Sequence, residues 1–221
     1  MIEFYILIIS LVLAFCAQAY VSSTYKRFTR INVRKDLTGA EVAKKILETN
    51  GLNDVHVVET SGFLSDHYDP SRKTVRLSTH NFRESSISAI SVAAHEVGHA
   101  IQDKKGDFFL KIRASLVPLV NFTSKISYIA ILAGLILGFF ELFTIGVGLM
   151  LFLVAFQLVT LPVEFGASKI AIFELEKASI LEGNEKRQAK SVLNAAALTY
   201  VAALAVTILQ MIRLILMANR R

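Results

Sequence analysis

Three long runs in this chain carry almost no charge, and shorter periodic segments lie between them. Phe4 to Tyr25 has no charged residue, Ile126 to Val163 has only Glu141, and Ser191 to Ile212 has none. A helix crosses the hydrocarbon core of a bilayer with about 20 apolar residues. The first and last runs therefore each fit one span. The middle run is long enough for a hairpin of two, with its tip expected near Glu141 to Gly148. Gly134, Gly138, Gly146 and Gly148 suit either close helix packing or a sharp turn. The pattern predicts an α+β membrane protein, mostly helical, with four transmembrane helices and a small domain containing a short β-hairpin or sheet. The expected divisions are an anchor over 1–25, a folded domain over 26–116, a hairpin over 117–163, a helical segment over 164–190 and a last span over 191–221.

The polar stretches punctuate the folded domain. Thr38 with Glu41 three residues on is a capping box, Val42, Ile46 and Leu47 form one stripe, and Asn50-Gly51 closes that helix. Val55 to Glu59 reads as a short strand, Tyr68 to Arg72 as a turn, and Lys73 to Ser78 as a second strand. Ser85 or Ser86 is placed to cap a helix from about Ile87 to Gln102, which Lys104-Lys105-Gly106 ends.

That helix carries the chemistry. It contains His95-Glu96-Val97-Gly98-His99, an H-E-x-x-H pattern among Val92, Ala93, Ala94, Ala100 and Ile101. Histidines at i and i+4 share one helix face, so both imidazoles can reach a single zinc ion, and the adjacent glutamate can act as a general base. A buried His-Glu-His cluster is costly unless a cation satisfies it. A catalytic zinc takes a third protein ligand and keeps one position open. Candidates for the third ligand are His56, His67, His80, Asp66, Asp69, Asp103, Glu164, Glu174 and Glu176. Glu164 stands out, because an acid at the end of an apolar run is expensive unless paired or bound to a metal. Gly166, Ala167 and Ala171 would let its helix approach closely, and Lys169 offers it an ordinary ion pair instead. Strand Thr74 to Ser78 is the candidate edge for pairing with an extended substrate.

Charge then orients the chain. The net charge of +6 and pI near 9.5 do not require nucleic acid as a partner, because the basic residues flank the apolar runs. Lys26 to Lys35, Lys104 to Arg113 and Lys169 to Lys190 fall on one side of a four-span topology, the cytosolic side of an inner membrane by the positive-inside rule. Arg213, Arg220 and Arg221 run mildly against it. Ala17-Gln18-Ala19 resembles a signal-peptidase site. Glu3 rather than a basic residue precedes the run, however, which favours a retained anchor with its N-terminus outside. The single cysteine, Cys16, lies within the first run, so no intrachain disulfide can form.

Asp66-His67-Tyr68-Asp69-Pro70, Ala93 to Gln102, Leu161-Pro162-Val163-Glu164-Phe165 and Ala195 to Val201 together resemble the YugP-type neutral zinc metallopeptidases of bacterial membranes. The resemblance covers nearly the whole chain. It implies a gluzincin-like peptidase with zinc held by His95, His99 and Glu164, Glu96 as base, and polypeptide substrates at or near the bilayer. The chain is also similar in plan to the larger HtpX-type membrane proteases. Those carry an aspartate four residues after the glutamate ligand, where this chain has Ser168. His67, Tyr68 and Tyr200 are candidates for orienting substrate or stabilising an oxyanion, with His67 placed nearest the site. The competing function is a non-catalytic membrane adaptor that keeps zinc for structure. A transporter lacks charged residues within its spans to form a pathway.

Overall fold

The computed structural model describes residues 1–62 and 65–219, so Arg220 and Arg221 lie outside the described residues. The elements are α1 (Ile2–Thr29), α2 (Gly39–Thr49), β1 (His56–Thr60), β2 (His67–Asp69), β3 (Thr74–Ser78), α3 (Thr79–Arg83), α4 (Ile87–Lys104), α5 (Phe108–Leu137), α6 (Phe140–Lys177) and α7 (Glu185–Ala218). The protein is mostly helical with one small sheet. Among the described residues four helices, α1, α5, α6 and α7, are long and apolar enough to cross a membrane. The chain divides into two compact units.

The first unit comprises Met1–Ala19, Lys111–Pro162 and Leu198–Arg221. Its α5–α6 hairpin turns at Gly138, not at Glu141 to Gly148: α5 ends at Leu137 and α6 starts at Phe140. Gly138 has φ +73, a left-handed conformation that glycine adopts without penalty. Gly134 and Gly146 do the packing instead. A Cβ on Gly134 would lie 2.5 Å from the Phe143 nitrogen, and one on Gly146 would lie 2.8 Å from Ile131. Ser127 Oγ donates to the Gly146 carbonyl at 2.7 Å, so the two helices run in close contact there.

The second unit comprises Tyr20–Leu110 and Val163–Ala197. Its core gathers Val42, Ile46, Val75, Leu77, Ile87, Ile90, Val97 and Leu175, all buried. The capping box at Thr38 and Glu41 is formed, and the Glu41 carboxyl is held below its usual range by the hydrogen bonds from Thr38. Ser86 caps α4, accepting from the Ala89 nitrogen at 3.2 Å.

The sheet differs from the expected hairpin. Its order is β1-β3-β2, with β1 parallel and β2 antiparallel to β3. Tyr68 and Asp69 belong to a strand rather than a turn, and the tight reversal follows at 70–73, where Asp69 Oδ1 accepts from the Ser71 and Arg72 nitrogens. Thr74 to Ser78 is therefore the central strand. Both sides of its backbone are occupied by β1 and β2, so it cannot pair with a substrate. The parallel β1–β3 pairing, which needs a crossover, inserts β2 at the far edge.

Candidate metal centre

Helix α4 brings His95 and His99 onto one face, one turn apart, with their rings edge to face at 4.8 Å. Helix α6 places Glu164 opposite them. Glu164 Oε2 lies 3.2 Å from His95 Nε2 and 3.8 Å from His99 Nε2. One ligand atom from each of the three residues falls within 4.8 Å of the others. Ligand atoms around a tetrahedral zinc with bonds of about 2.0–2.1 Å stand about 3.3 Å apart, so the cluster is close to that size. The donor set fits the ion as well: two imidazole nitrogens and one carboxylate oxygen. Glu164 is 2% exposed, and a carboxylate so buried needs a cation or strong donors. Lys169, the alternative partner, is exposed and makes no ion pair among the described residues.

The far sides of both imidazoles are engaged too. His99 Nδ1 is 2.9 Å from Gln102 Oε1, while Gln102 Nε2 donates to the Val163 carbonyl at 2.9 Å. A carbonyl only accepts, so the amide must turn its NH2 to Val163 and its oxygen to His99. His99 then carries its proton on Nδ1 and presents the Nε2 lone pair to Glu164's side of the cluster. His95 Nδ1 is 3.2 Å from Ser168 Oγ. Ser168 thus stands where the HtpX-type pattern has an aspartate, and it reaches the other histidine face with a neutral hydroxyl.

Close helix contact makes this possible. A Cβ on Gly98 would lie 2.6 Å from the Ala167 carbonyl, and one on Gly166 would lie 2.7 Å from Gln102 Nε2. At Gly98 the clash would be with backbone, so glycine there lets α4 and α6 approach so nearly; at Gly166 a Cβ would displace the Gln102 amide. Gln102 and Gly98 were not legible as site residues from sequence. Their one signal was adjacency to the motif, three residues after His99 and inside H-E-x-x-H.

Glu96 is 8% exposed, and burial pushes its carboxyl up to about 7, with the His95 imidazole opposing the shift and the Glu164 and Asp66 carboxylates adding to it. His67 also acts on Glu96 and opposes the rise. It starts β2, an edge strand among the described residues, which packs against α4. The segment before β2 is anchored by Asp66, whose carboxylate accepts from Ser78 N at 2.7 Å and Asn81 Nδ2 at 3.0 Å. His67 Nδ1 lies 2.8 Å from the Ser65 carbonyl, so that nitrogen is the donor, and Nε2 can donate only on a charged ring.

The other candidates lie elsewhere. Tyr68 donates to Asp103 at 2.9 Å, and Asp103 also holds Lys73 at 2.6 Å. Glu174 accepts from Asn50 at 2.7 Å, Glu176 pairs with Lys186, and Asp69 caps its turn. His56 lies in β1 and His80 in α3, and neither joins the cluster. Tyr200 belongs to the other unit.

Known proteins offer a separate comparison, at the level of the whole chain. The family model described as "Putative neutral zinc metallopeptidase" matches residues 3–219. A protein of Bacillus subtilis (strain 168) named "Putative membrane protease YugP" is 43% identical over 218 residues, covering 98% of this chain and 96% of its own. No solved structure matches. A match over nearly the full length, by both measures, places the chain in a family: it belongs to the neutral zinc metallopeptidases.

Proposed function

We propose that the chain is a membrane-bound zinc endopeptidase in which His95 Nε2, His99 Nε2 and the Glu164 carboxylate hold the metal and Glu96 is the general base. The observation that carries the reading is the convergence of those three donors beside a buried carboxylate that takes no part in the cluster. Zinc bound there supplies an acidified water and a positive charge that polarises the scissile carbonyl. Glu96 accepts the proton from the attacking water and passes it to the leaving amine. Gln102 fixes His99 in the tautomer that turns Nε2 inward, and Ser168 holds the outer nitrogen of His95, as partners behind metal-bound histidines generally do. His67, at the start of edge strand β2, contacts the substrate near the scissile bond. A ring donor at that position would also stabilise developing negative charge.

The substrates are polypeptides at or near the bilayer, since Glu164 follows the charge-free run of α6 without a break. The basic segments between the apolar runs favour the cytosolic side of a bacterial inner membrane for this unit. A structural zinc in an adaptor would want four protein ligands and would have no use for Glu96. X-ray absorption at the zinc edge of the purified protein separates the two. Three protein ligands and a solvent oxygen, together with cleavage of an unfolded model protein, are expected. Four protein ligands and no cleavage would overturn the reading.

A further inference from the structure

A groove of about 450 Å³ lies between α6 and α7, bordered by Ser168, which stands behind His95. Its walls are Phe165, Lys169, Phe173 and Glu176 from α6, with Lys190 and Asn194 from α7. Glu176 is neutralised by its ion pair with Lys186. Lys169 and Lys190 are exposed and make no ion pair among the described residues, which leaves the groove with two uncompensated positive charges. Beside them, Phe165 is 41% and Phe173 60% exposed. Two cations with apolar rings at their side suit a ligand that is anionic at one end and apolar at the other.

The position of the groove along its helices says which ligand. Lys169 follows Val163, the last residue of an apolar run, by six positions, or about 9 Å at the rise of an α-helix. Lys190 directly precedes Ser191, where the next charge-free run begins. The headgroup layer is roughly 5–7 Å deep on each side of the hydrocarbon core, and lysine stems can snorkel across such distances. Both ammonium groups therefore fall at headgroup depth. We propose that this groove binds the phosphate headgroup of an anionic phospholipid, with Lys169 and Lys190 on the phosphate, Asn194 donating beside them, Phe165, nearer the apolar run, against the glycerol and upper acyl chain, and Phe173 closing the outer end of the groove. The proposal does not depend on zinc or on catalysis.

Native mass spectrometry of the full chain in detergent, offered phosphatidylglycerol or phosphatidylcholine with matched acyl chains, tests it. Wild type is expected to retain the anionic lipid in preference. That preference should fall about fivefold for each lysine replaced, to a loss of roughly 25-fold in Lys169→Gln/Lys190→Gln. The charge-keeping Lys169→Arg/Lys190→Arg variant should retain it, as should Lys44→Gln/Lys45→Gln, which alters the solvated face of α2. A wild type without preference, or a double glutamine variant that keeps it, would overturn the assignment. So would displacement of the lipid by soluble glycerophosphoglycerol or an acidic peptide at equal concentration, because the site would then not be a lipid site.

Discussion

The residues around the cluster divide by what sequence can express. His95, Glu96 and His99 are legible because helical spacing alone puts them on one face. Glu164 is legible as a charge that an apolar run should not tolerate unpaired. Gln102 and Ser168 are not, since a glutamine or serine on a helix is ordinary until its partners are known, and the Gln102–Val163 and Ser168–His95 contacts join helices distant in sequence. Two predictions belong at this scale. Gln102→Leu removes the acceptor for His99 and leaves the Val163 carbonyl without its donor. Zinc affinity should fall about 10- to 100-fold, measured by competition with a chromophoric chelator. An unchanged affinity would show that the hydrogen bond does not orient the ligand. Glu96 must be ionised to act as base, and burial raises it to about 7 before the opposing charge of any zinc. The rate constant kcat/KM should therefore fall as pH drops through an acid limb at or below about 7. A rate still rising below pH 5 would exclude Glu96 as the base.

The elements show why local pattern reads helices better than sheets here. Helix α4 carries its own start at Ser86 and its own buried stripe, so its ends could be placed from nearby residues. The strands could be found but not ordered, because the β1–β3 pairing joins segments across an intervening strand and leaves no local trace. The α5–α6 turn was ambiguous among four glycines. Gly138 takes the turn and Gly134 and Gly146 the contact, while a Cβ on Gly148 would meet nothing within 4 Å. The same contact logic predicts the effect of Gly98→Val. Its side chain would press on the Ala167 backbone, and backbone cannot yield as a flexible side chain can. Overpacking of this kind costs about 1–3 kcal/mol. The melting temperature should drop and zinc should be lost together. Gly148→Ala, facing open space, should leave both unchanged, and equal losses in the two variants would contradict the packing argument.

At the scale of the molecule, the pattern of charge-free runs was sufficient to read a mostly helical chain with four apolar helices, and the structure has them. What the pattern could not supply is how the folded unit gains its stability. Its apolar core borders a cluster of three polar side chains whose burial a cation would offset. Zinc that binds the native state alone should raise its stability by mass action, by about 4 kcal/mol at a thousandfold excess over Kd. A chelator should therefore lower the melting temperature of wild type and have little effect on Glu164→Ala.

The most direct measurement is zinc content paired with cleavage of an unfolded model protein in detergent, for wild type and Glu96→Gln. Glu96 lies outside the three-donor cluster, so both forms should hold about one zinc, and only wild type should cleave. Cleavage by Glu96→Gln at the wild-type rate, or a wild type that binds no zinc, would contradict the account.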